Sequence, residues 1–152
     1  MRRIVAMAGL CTLVLSLSAA PARANPPSRS RGAFEFDVDF SGICSFDVGA
    51  HARGDTQFIV FVDASGTPVR AITTGQFFVT LTNEDTGFAR TFAIPGPSFF
   101  DATGTLVHGT GPWLTFDANG EFVLAAGNMD MDPTGNILAI RGRTFDVCAL
   151  LA

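Results

Sequence analysis

One turn recipe recurs along the chain: DASG at 63–66, EDTG at 84–87, DATG at 101–104, DANG at 117–120 and DPTG at 132–135. An acid at the first position can cap such a turn with its side chain. Glycine at the fourth takes the positive φ that a type I turn with a G1 bulge requires. The glycines of these turns are 21, 17, 16 and 15 residues apart. Each interval holds two short strands and leaves no room for a helix of ordinary length. A chain punctuated this way is confined to hairpins.

The intervening runs read as strands. In GQFFVTLTN, Phe77, Val79 and Leu81 alternate with Phe78, Thr80 and Thr82, and in GFARTFAIP, Phe88, Phe92 and Ile94 share a face with Arg90. FIVFV at 58–62 is apolar on both faces, as expected of a central, covered strand. GPWLTFDANGEFVLAAG at 111–127 is the cleanest hairpin, and its Trp113 opens a strand directly after Gly111-Pro112. The expected fold is therefore all-β, an antiparallel meander of about 8–10 short strands that hides its two long edges by closing as a β-barrel or packing as a β-sandwich.

The first 24 residues carry a different signal. Arg2 and Arg3 precede an apolar run from Ile4 to Leu17, and small residues close on Ala22-Arg23-Ala24, the three-part layout of a secretory signal peptide. The run is too short for a membrane span. The organisation expected is a signal peptide over 1–24, a flexible Pro- and Ser-rich leader over 25–32, and a single β domain over 33–152, secreted and with no membrane span after cleavage.

Cleavage removes Cys11 and leaves Cys44 and Cys148 in a chain bound for an oxidising space, where an even pair most simply forms a disulfide. On the chain-entropy account a loop of this length contributes about 4–5 kcal/mol. Composition narrows the chemistry further. The chain has no Lys and no Tyr, so it can form neither a lysine Schiff base nor a P-loop and has no phenolic acid; with both cysteines paired it has no thiol nucleophile. All fourteen acids follow residue 24, against seven of the ten Arg, which sets the mature net charge at −7. Such a surface repels nucleic acid.

Candidate sites are few. Asn128, Asp130 and Asp132 are spaced like the start of an EF-hand loop, but Pro133 and Ala139 stand where that motif needs Gly and Glu, and the alternate acids read more simply as a solvated face. His51 lies in the loop-like GAHARGD. His108 shares a face with Leu106 near a strand end loosened by glycines, as a rim or core histidine or as a general base. Trp113 at a strand mouth is either a core plug or a stacking platform. No metal or other cofactor is implied, since the paired cysteines leave too few ligands for zinc. The closing stretch RTFDVCALLA reads as the last strand, pinned by Cys148 to SGICSFDV. If that strand is regular, Asp146 points inward beside the disulfide. If Gly142 forms a bulge, parity flips and Asp146 is solvated; the bulge is the expectation.

The signal segment, SGICSFDV, TNEDTG, the GPWL strand and FDVCALLA together resemble a group of small exported proteins of high-GC Gram-positive bacteria. That resemblance implies secretion, a β fold and one disulfide, and carries no activity. In architecture alone, the meander is similar to single-domain barrels of the lipocalin, dirigent or allene oxide cyclase kind. The function expected is a secreted, disulfide-stapled, non-catalytic binding or structural module whose partner is a small apolar ligand or an extracellular protein. A barrel holding a small apolar ligand in a Phe-lined cavity, with or without isomerase chemistry, is the alternative. A further alternative is a protease inhibitor using IPGPSFF at 94–100 as its loop.

Overall fold

The computed structural model describes residues 25–152, and the expected signal peptide lies outside them. Eight strands form one antiparallel sheet: β1 Ser28–Phe40, β2 Val48–Val62, β3 Pro68–Asn83, β4 Ala89–Ala93, β5 Ser98–Phe100, β6 Leu106–Phe116, β7 Phe122–Met131 and β8 Ile137–Asp146. A five-residue helix, α1 Val147–Leu151, follows. The sheet runs β1-β2-β3-β5-β6-β7-β8, with β4 paired to β3 beside β5. The all-β meander is thus as the turns require, but the intervals of β3, β6 and β7 each hold one long strand rather than two short ones, and the pairing departs from a simple meander once. The long β3 is shared end to end by two partners, Phe78–Thr82 pairing with β4 and Ala71–Thr73 with β5. Among the described residues no helix is long and apolar enough to cross a membrane.

Four of the five turns are one structure repeated. At Asp63, Asp101, Asp117 and Asp132 a carboxylate oxygen accepts from the backbone N–H groups two and four residues on, at 2.8–3.0 Å. The glycine of each has φ between 80° and 88°. The fifth turn uses a different anchor. In TNEDTG it is Asn83, not Glu84, whose side-chain oxygen accepts from the amides of Asp85 and Thr86. Asn83 is buried, and its amide group donates to the Leu151 carbonyl at 3.1 Å. The turn thereby holds the end of α1.

Several expectations need correction. Ser28–Gly32, read as leader, form the first part of β1 in register with Val60–Thr56; an Arg31–Asp55 ion pair of 2.6 Å helps hold them there. GAHARGD is not a loop but part of β2, with small residues on one face and polar ones on the other. FIVFV does lie between two hydrogen-bonded neighbours, yet Phe58 is 39% exposed and the strand is not covered on both faces. Trp113 and His108 sit inside β6, which runs unbroken through Gly111-Pro112 rather than ending or starting there.

The chain terminus differs most. The last strand stops at Asp146, and Cys148 belongs to α1. The disulfide to Cys44 is present, with the two Cα atoms 5.5 Å apart, but it ties the β1–β2 connection to a helix, not strand to strand. Parity counted from Cys148 therefore does not apply to Asp146. No bulge forms at Gly142, which pairs with Gly127 in continuous register. Asp146 is exposed for another reason: it is the N-cap of α1, its carboxylate accepting from the Ala149 amide at 3.2 Å, as Asp commonly does where a strand gives way to a helix.

The packed core lies at this end. Val48, Leu81, Val147 and Leu151 are at most 1% exposed, and Ile43, Cys44 and Phe46 pack against them. The sheet curls far enough that Phe40 at the end of β1 meets Phe122 at the start of β7, ring centroids 5.8 Å apart. Yet among the described residues no ladder joins β1 to β8.

Candidate functional site

Residues two apart on a strand share a face, and that rule builds a cavity here. Across the first three strands Val38, Ala50 and Leu81 are register partners, as are Phe36, Ala52 and Val79, and Phe34, Gly54 and Phe77. The outer members of each row are large and the middle one is small. β2 contributes Ala50, Ala52 and Thr56 to the lining, so the curled sheet has a shallow floor between two walls of bulky side chains. At Gly54 the missing side chain is required: a Cβ there would fall 2.6 Å from Phe34 Cζ. Phe34 instead lies across the glycine and meets Phe77 edge-on at 5.0 Å.

The result is a cavity of about 430 Å³, within the range that holds small organic ligands. β4–β7 and the connections between them close it with Ile94, Phe100, Trp113, Leu114, Phe116 and Phe122. Its lining contains no acid, base or cysteine; the polar side chains are the hydroxyls of Thr56, Thr73 and Ser98 and the Trp113 indole, whose N–H is already donated to the Thr110 carbonyl at 3.0 Å. Phe36, Val38 and Phe116 line it and remain 49%, 37% and 39% exposed. These three mark its opening to solvent. Side chains this apolar are ordinarily covered, and their grouping around one cavity distinguishes them from scattered surface apolar residues.

Of the residues singled out in the sequence, Trp113 belongs to this site, as a wall and neither as an end plug nor as a free platform. Its ring lies over Gly109 and beside Gly96, where a Cβ on Gly109 would come within 2.9 Å of it. His108 is not in the lining. It stacks on Phe99 at 5.5 Å, and its Nδ1 lies 2.8 Å from Asp130 Oδ1, while Asp130 also meets Arg141 at 3.0 Å. Asp130 is thereby engaged in a cross-strand polar cluster, and Asp132 caps its turn. Among the described residues no group of three or more His, Cys, Asp and Glu is arranged to hold a metal ion. His51 lies on the opposite, outer face of the sheet, hydrogen-bonded to Asp37 at 2.8 Å. Asp146 and the disulfide lie away from the cavity lining.

IPGPSFF is not a presented loop. Ile94 is buried with its amide donating to the Phe77 carbonyl, the Pro97 carbonyl accepts from Thr110, and Ser98–Phe100 is β5. The residues missed from the sequence are the floor and its polar end. A-x-A-x-G-x-T at 50–56 alternates small residues with polar ones, and that pattern marks a strand whose inner face leaves space.

The electrostatics lie elsewhere, in the turns. The Ser65, Thr103 and Thr134 hydroxyls, joined by turn amides, hold the carboxyls of Asp63, Asp101 and Asp132 below the usual carboxylate range. For Asp117 the Glu121 amide is the largest cause. Comparison of the chain with protein families, curated proteins and solved structures finds no match.

Proposed function

We propose that this chain is an exported binding protein whose curled, barrel-like sheet holds one small apolar molecule. The observation that carries this is a Phe-lined space of about 430 Å³ with no ionisable group on its wall. A purely structural module gains nothing from leaving such a space, since each unfilled part of a core forfeits packing energy. The wall also offers no general acid or base, which favours carriage over isomerase chemistry. The Cys44–Cys148 bond supports residence in an oxidising compartment, in keeping with the signal-like first 24 residues. The outward acids and the net charge keep a protein with an open apolar mouth soluble.

Trp113 is the sole tryptophan, the chain has no Tyr, and the indole lines the cavity, so its emission reports directly on occupancy. Protein purified from its own host is expected to carry a co-purifying small molecule in native mass spectrometry. Extraction of that molecule should shift the Trp113 emission, and adding it back should restore it. A protein that carries no such molecule and whose Trp113 emission is unmoved by any apolar compound would refute this reading.

A further inference from the structure

The cavity is not uniform along its length. At one pole Phe40, Phe116 and Phe122 pack together, with centroids 5.8 and 5.2 Å apart, above the core that α1 closes. The hydroxyls of Thr56, Thr73 and Ser98 gather at the other. Thr73 and Ser98 are register partners between β3 and β5. Thr56 stands opposite Gly75 on the other side of β3, diagonal to Thr73, within the reach of cross-strand neighbours. Thr56 lies six residues beyond Ala50 on β2, about 20 Å at ~3.3 Å per residue. The lined space therefore runs along β2 from one pole to the other. The three residues are half-buried, none of their hydroxyls is a buried group left without a partner, and no cation accompanies them in the lining.

From this polarity we infer the class of ligand and its orientation, resting on the reading of the cavity as a ligand site. The occupant is an uncharged, elongated apolar chain that ends in one hydroxyl or carbonyl. Its tail lies against Phe40, Phe116 and Phe122, and its head exchanges hydrogen bonds with Thr56, Thr73 and Ser98. A hydroxyl head suits this pole because threonine and serine can donate or accept as needed. A carboxylate or ammonium head would find no counter-charge in this lining, which disfavours it.

The test uses three probes on the full chain: 1-dodecanol, dodecanoate at pH 8, and the uncharged dye 1-N-phenylnaphthylamine, which has no hydroxyl. They are titrated into the native protein and a T56V/T73V/S98A variant, with near-ultraviolet circular dichroism to confirm the fold of each. Dodecanol is expected to bind at least tenfold more tightly than dodecanoate, and to lose about tenfold in the variant while the dye's affinity stays within twofold. Equal binding of alcohol and carboxylate, or dodecanol binding unaffected by the three substitutions, would overturn the head-group assignment while leaving the cavity as a ligand site. Failure of both dodecanol and the dye to bind the native protein would remove the ligand site itself, and this inference with it. If the variant does not fold, the alcohol-to-carboxylate ratio on the native protein decides.

Discussion

The two ends of the curled sheet are built from the same kinds of residue and packed in opposite ways. At the α1 end, Val48, Val147 and Leu151 are fully buried, a disulfide pins the helix, and Asn83 holds its last carbonyl. Along the β1 side of the cavity, Phe36 and Val38 stay well exposed beside an unfilled space. The difference comes from what stands between large residues. Ala50 and Ala52 on β2 leave room between their Phe, Val and Leu neighbours, whereas α1 fills the corresponding room at the other end. The α1 end is filled, and the open side is free to be shaped for an occupant.

Substitutions that separate the two ends should differ sharply. The largest effect is expected at the closed end. Leu151→Ala should cost about 2–5 kcal/mol in denaturant unfolding, and replacing both Cys44 and Cys148 by Ser should cost a similar ~2–5 kcal/mol. By contrast Phe36→Ser, at a half-exposed lining position, should change stability by under about 1 kcal/mol while weakening dye binding at least tenfold. If Phe36→Ser destabilises as much as Leu151→Ala, the contrast between the ends fails.

Asn83→Ala comes next. It removes two caps and leaves the Leu151 carbonyl without its partner in a buried place, for an expected loss of about 1–3 kcal/mol. Hydrogen exchange should rise at Ala149–Leu151 before it rises in β2. A uniform rise across the sheet would mean that Asn83 does not link its turn to α1.

The smallest effect belongs to the four aspartate turns. Their carboxyls are depressed in the folded protein, so the stability they add is fully present above the ordinary carboxylate range, near pH 4, and is lost as pH falls through their lower folded values. The thermal midpoint should therefore fall between pH 5 and pH 2. Asp132→Asn should lower the midpoint at pH 7 and flatten that fall. A variant with the same acid profile as the native chain would show that Asp132 contributes nothing there.

Much of this architecture was legible in the residues. The D-x-x-G spacing marks the hairpins because the turn needs a capping acid and a positive-φ glycine at fixed positions, and both are local requirements. The disulfide was legible from parity and compartment alone. What escaped was non-local. Asp146 looks like a strand residue, since FDV also occurs within β1, until the chain beyond it is seen to turn into a helix for which an Asp makes the cap. Asn83 looks like the residue before a turn until its amide meets Leu151, 68 positions away. The cavity was legible only in outline: Trp113 was among its expected members and His108 was not in its wall, while Thr56, Thr73 and Ser98 become a polar pole only through the register of three strands. Phe content alone does not distinguish a filled core from a lined space; the small residues between the Phe do.

The most direct test of the central claim is to fill the floor. Ala52 is 4% exposed between Phe36 and Val79 in register, and its side chain faces the cavity. Titration of 1-N-phenylnaphthylamine into the native protein and Ala52→Phe, both checked for native circular dichroism, should give saturable one-to-one binding to the first and at least tenfold weaker binding to the second. Equal binding to both folded proteins, or none to the native one, would contradict the account.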